Sequence, residues 1–165
     1  MSTESPRVEP LGITGIESLH YYAHDLDRMR TFLTEQLDFA ETGKSSDEME
    51  ARGGQRSLVF QAGDIRLVVS QPLREGVRAD RWLRRHPEGV GTIVFTVKDA
   101  QKAYDLLDQR GGTFITGVET FEMADGGTLK TFNITTPFGD TTFRFMERHG
   151  TNAVFPGYDQ YETPK

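Results

Sequence analysis

The chain has 165 residues, 36% of them apolar and 27% charged, with a formal net charge of −6 and no cysteine. That is one domain's length of chain, enough to bury its own core. The acidic balance argues against nucleic acid or an anionic membrane as a partner, and the missing cysteines exclude disulfides, thiolate nucleophiles, Cys-ligated zinc and iron–sulfur clusters.

Residues 1–11 read as a disordered arm, since Met1–Pro10 has no apolar core of the kind a signal peptide needs. No apolar run reaches the roughly 18 residues of a transmembrane helix. With the absence of cysteine, this fits a cytoplasmic setting. Residues 15–23 alternate loosely and predict a strand. Asp25 follows as an N-cap, and Leu26, Met29, Phe32, Leu33 and Leu37 recur at helical spacing. Residues 43–54 are polar and glycine-rich and predict a loop. Ser57–Gln61 and Ile65–Ser70 read as strands joined through Ala62-Gly63-Asp64.

Residues 71–89 form a connector bounded by Pro72 and Pro87. Arg74, Arg78, Arg81 and Arg85 give it a helix with one basic face, read as solvated rather than as a docking site, and Trp82 beside them pins it to the core. Gly91–Val97 then reads as a strand. Asp99 caps a helix carrying Ala100, Ala103, Tyr104 and Leu107, and Gly111-Gly112 ends it. Further strands are predicted near 113–122, 128–134 and 141–147. Residues 150–165 resemble an interdomain linker.

The order strand–helix–strand–strand–strand therefore occurs twice, over about residues 15–70 and 90–148. Asp25 and Asp99 stand at matching points, as do Gly63-Asp64 and Gly139-Asp140, although the second strand of the first copy is weak. The fold class is α+β. Two βαβββ modules within residues 12–149 would form a curved, eight-stranded, half-open sheet, with helices on the convex side and a cleft on the concave side.

That arrangement is similar to the glyoxalase/dioxygenase, or vicinal oxygen chelate, architecture. Gly15–Asp25, Gly63–Leu73 and His86–Ala103 resemble segments of the 4-hydroxyphenylpyruvate dioxygenase family. Arg110-Gly-Gly, Phe138-Gly-Asp-Thr and Phe155-Pro-Gly-Tyr158 resemble later ones, in the family's order. The resemblance is to that family's N-terminal half. It implies a metal-free unit partnered by a second catalytic domain or subunit that would follow near Lys165. In that domain two His and one Glu hold Fe(II). The implied reaction is oxidation of an aromatic 2-oxo acid by O2 in tyrosine breakdown, in a homo-oligomer. The alternative is a stand-alone, metal-free module that binds small molecules.

Catalytic members of this architecture bind metal from inward strand positions, which the resemblance places at Ser18, Leu67, Thr92 and Phe143. None is a histidine or carboxylate, so no metal site and no catalytic residue is assigned to this chain. His20, two residues beyond Ser18, shares its sheet face. With Tyr22, Thr92 and Phe143 it is a candidate cleft-lining residue. The blander reading of His20 is a half-buried strand histidine with a hydroxyl or carbonyl partner. His24, His86 and His149 read as surface histidines. Phe143 and Phe145 are expected to fill the cleft with aromatic bulk. Gly43-Lys44-Ser45 is not a phosphate loop, which would need glycine where Asp38 stands. Asn133-Ile-Thr135 is a chance sequon in a strand.

Overall fold

The computed structural model describes residues 8–165; the first seven residues of the predicted arm lie outside the described residues. In chain order the elements are β1 (Ile13–Tyr22), α1 (Leu26–Thr31) with a π turn at Phe32–Gln36, β2 (Ala40–Ser45), α2 (Asp47–Gly53), β3 (Gln55–Ala62) and β4 (Ile65–Pro72). There follow α3 (Arg78–Leu83), β5 (Gly89–Val97), α4 (Ala100–Gln109), β6 (Phe114–Glu122), β7 (Thr128–Thr135), β8 (Thr142–His149) and β9 (Tyr158–Gln160).

All strands of the described residues belong to one open sheet in the order β6-β7-β8-β5-β1-β4-β3-β2-β9. The two repeats lie end to end in it. Each first strand pairs in parallel with the last strand of its own repeat, β1 with β4 and β5 with β8. The repeats meet where β1 pairs antiparallel with β5.

The sheet has nine strands rather than eight. The ninth comes from the segment expected to be a linker, which lies antiparallel to β2. The predicted loop at 43–54 is also corrected: it holds the end of β2 and all of α2. Ser46 caps α2, its hydroxyl accepting from the Met49 amide at 3.2 Å, and Gly54 ends it in the left-handed region at φ +67.

Helices α1 and α4 start by the same rule, whereas Val77 before α3 offers no side-chain cap. The Asp25 carboxylate accepts from the Arg28 amide at 3.0 Å, and Asp99 from the Lys102 amide at 2.9 Å. Helix α1 with its π turn and helix α4 then each bury an apolar stripe on one face of the sheet. Leu26 and Leu33 pack on Leu58, Phe60 and Val69. Ala100 and Ala103 pack on Val97, Phe132 and Phe145. Phe60 and Phe132 are completely buried, worth about 2–3 kcal/mol each in apolar burial. Two cores thus sit under two helices, and the opposite face of the sheet is left to α2, α3 and the C-terminal segment.

Candidate functional site

Side chains two apart on a strand share a face, so the strand register defines the floor of the cleft. His20 on β1 lies opposite Thr92 on β5 and Val68 on β4. Ser18 lies opposite Val94, and Tyr22 opposite Ser70. Thr92 faces Thr142 on β8, and Val94 faces Arg144. Met49 of α2, Val77 and Arg78 near the start of α3, and Phe155 and Tyr158 of the C-terminal segment form the walls. The space they leave is about 320 Å³. A larger hollow of about 800 Å³ beside the π turn has mostly apolar walls, and its charges are the mutually paired Arg28 and Glu88.

His20 sits on a short polar chain. Its Nε2 is 2.6 Å from the Ser70 hydroxyl, which is 2.6 Å from that of Ser57. The Tyr158 hydroxyl lies beside Ser57, and its burial raises the phenol's pKa. Burial first, then the positive charges of Arg144 and Arg78, push the His20 imidazole down to about 3. The ring is therefore neutral at physiological pH and a poor general base, because an effective base has a pKa near the working pH. With Ser70 fully buried, the His20–Ser70 contact is a structural pair, not a nucleophile and its base.

Two arginines give the cleft its charge. Arg78 stands at the solvent-exposed rim. Its Nε donates to the Tyr22 hydroxyl at 2.8 Å and its Nη2 to the Thr142 hydroxyl at 3.0 Å. Arg144 lies deeper. Its Nε donates to Asn133 Oδ1 at 2.9 Å, and its guanidinium stacks 4.5 Å over the Phe155 ring. Burial lowers the Arg144 pKa, yet guanidinium stays cationic. Its terminal nitrogens have no hydrogen-bond partner among the described residues.

Of the sequence-predicted residues, His20, Tyr22 and Thr92 line the cleft. Phe143 does not, and this corrects the expectation. It turns to the α4 side, edge-on to Phe95 at 5.1 Å, and Phe145 joins the core beneath it. Arg144 takes the inward place instead. Leu67 is corrected in the same way: it packs against the α1 core, and Val68 faces the cleft. The aromatic plug expected from β8 is therefore absent from the floor.

The four connector arginines do not act as one face. Arg78 serves the cleft, while Arg74 donates to the Arg52 carbonyl and Arg85 pairs with Asp140. Trp82 packs on Tyr22 at 5.8 Å and His86 at 4.4 Å. His24 and His149 are exposed, and His86 is half-buried against Asp140 at 2.7 Å. The Asn133 amide of the sequon is engaged by Thr116 and Arg144. Sequence reasoning missed Arg144 and Tyr158. The visible signal for Arg144 was a lone charge inside the run Phe143-Arg-Phe-Met146.

With two repeats, an open mixed sheet and a cleft on one face, the chain falls in a known class. Residues 15–142 match the Glyoxalase/Bleomycin resistance protein/Dioxygenase superfamily, and the chain belongs to it. It is 26% identical over 148 residues to a 4-hydroxyphenylpyruvate dioxygenase of Dictyostelium discoideum, covering 87% of this chain but only 39% of that protein. Among solved structures, a mutant of 4-hydroxymandelate synthase from Streptomyces coelicolor aligns with a TM-score of 0.71 and 18% identity, over 88% of this chain and 44% of the other. Methylmalonyl-CoA epimerase from Mycobacterium tuberculosis aligns with a TM-score of 0.65 and 14% identity, over 89% and 92%. These two likenesses concern the fold. Among the described residues no helix is long and apolar enough to cross a membrane.

Proposed function

We propose that this chain is the metal-free unit of a 4-hydroxyphenylpyruvate dioxygenase-like Fe(II) enzyme of tyrosine catabolism. The catalytic iron is then held by a second domain or subunit, and the assembly is a cytoplasmic homo-oligomer. The relation to the Dictyostelium enzyme, over 87% of this chain, supports the lineage. One observation carries the metal-free part: the donor set of the cleft floor. Fe(II) calls for imidazole and carboxylate donors. The floor offers the hydroxyls of Ser18 and Thr92, the methyls of Val68 and the guanidinium of Arg144, with one imidazole already bonded to Ser70. Two positive side chains at the same cleft repel a dication. The residues present do not fit iron, so no step of 2-oxo acid oxidation is assigned to them.

Anaerobic calorimetric titration of the chain with Fe(II) tests this. Only weak, non-stoichiometric heat is expected. One tight equivalent per chain, or oxygen uptake by the iron-loaded chain with 4-hydroxyphenylpyruvate, would overturn it. A second reading, a stand-alone small-molecule-binding module, is favoured by the open space of about 320 Å³ where aromatic packing was expected.

A further inference from the structure

We propose that the cleft binds a small organic carboxylate with an apolar body, its carboxylate seated on the terminal nitrogens of Arg144 and Arg78 adding charge at the rim. Other enclosed charges of the chain are paired within the fold. Arg66 and Arg148, also part-buried, share the Glu17 carboxylate at 2.6 Å each. Buried Glu41 is held by Arg30 and by the Tyr161 hydroxyl, both at 2.6 Å. A part-buried charge without such a partner has given up hydration that nothing in the fold replaces. Arg144 nonetheless has no carboxylate within salt-bridge distance among the described residues.

The geometry leaves the useful part of the side chain free. Asn133 fixes Nε and Phe155 fixes the guanidinium plane, so Nη1 and Nη2 remain for a ligand. Two parallel N–H donors match the two oxygens of a carboxylate. Among the described residues Arg78 likewise bonds only to hydroxyls and a backbone carbonyl. The remaining surface sets the body of the ligand. Val68, Val94, Met146 and Phe155 are apolar, and the His20 and Tyr22 rings stand 5.0 Å apart. A flat or branched hydrocarbon body bearing one carboxylate suits this lining better than a compact inorganic anion. The inference does not depend on the dioxygenase relation, and its test involves no iron.

The test is calorimetric titration of the full chain with benzoate, benzamide and inorganic phosphate. Benzoate is expected to bind with one-to-one stoichiometry. Benzamide, the same shape without the charge, is expected about 10- to 100-fold more weakly, the range lost with one charge-assisted hydrogen-bonded pair. Phosphate is expected to bind more weakly than benzoate. Arg144→Gln should abolish the preference for benzoate over benzamide, and Arg144→Lys should keep only part of it. Equal binding of benzoate and benzamide by the unaltered chain overturns the proposal whether or not the variants fold. So does no binding of benzoate at millimolar concentration, or an unchanged preference in Arg144→Gln. Phosphate binding tighter than benzoate overturns the carboxylate assignment.

Discussion

At position 20 a single imidazole links the cleft to the stability of the fold. Its folded-state pKa, about 3, lies below the ordinary 6.5. The unfolded chain therefore takes up this proton first. The contribution of neutral His20 is complete above 6.5 and is lost as the pH falls toward 3, with a slope of at most about 1.4 kcal/mol per pH unit. His20→Gln, which keeps a polar group toward Ser70, should flatten the stability profile between pH 6.5 and about 4.5, above the range where carboxylates dominate. Urea midpoints across that range decide it, and an unchanged slope in the variant refutes the assignment. Gly91 is a second sensitive position. A Cβ there would lie 2.3 Å from Tyr22 Cε2, whereas one at Gly15 would meet nothing within 4 Å. Gly91→Ala should cost about 1–3 kcal/mol by forcing the Tyr22 ring aside. Gly15→Ala should be nearly silent, and equal melting temperatures for the two variants would count against that packing.

At the scale of elements, what the sequence announced depended on which side chains face the core. The caps at Asp25 and Asp99 and the apolar stripes behind them were legible because capping and helical periodicity are local signals. Strand β2 was not, because its buried positions are Glu41, Gly43 and Ser45, an inversion of the usual apolar pattern. Helix α2 buries no residue and so shows no stripe. In β8 both faces are covered, so alternation gave the period but not the side. The aromatic residues Phe143 and Phe145 go to α4, and Arg144 and Met146 go to the cleft. Strand β9 is short and polar, and long-range partners hold it. The Glu41 amide donates to the Lys165 carbonyl and the Lys165 amide to the Glu41 carbonyl, each at 2.9 Å. The Tyr161 hydroxyl donates to buried Glu41 at 2.6 Å. Tyr161→Phe removes that donor from a nearly dry carboxylate and should cost about 1–3 kcal/mol. Hydrogen exchange should speed first at the β2 and β9 amides. Unchanged exchange there would mean that the C-terminal segment is held by the backbone pairs alone.

For the whole molecule, the question is whether two cores make one folding unit. The α1 core and the α4 core do not share side chains. They are joined by the β1–β5 pairing and by the cleft face, where Arg78 of the connector bonds to Tyr22 of the first repeat and Thr142 of the second. Loss of either side would turn β1 or β5 into an edge strand and uncover the apolar side chains packed across it, which disfavours a half-folded state. Unfolding should therefore be a single transition. Phe132→Ala, deep in the second core, tests this far from the first. It should cost about 3–5 kcal/mol, lowering the melting temperature by roughly 6–20 °C in a chain of this size. The only tryptophan, Trp82, lies in the connector against Tyr22 and His86, outside that core. Its fluorescence should nevertheless follow the shifted transition and coincide with the calorimetric peak. If Trp82 keeps the original midpoint while a second calorimetric peak moves down, the repeats unfold separately. The β1–β5 ladder would then be a weak interface rather than the spine of one domain.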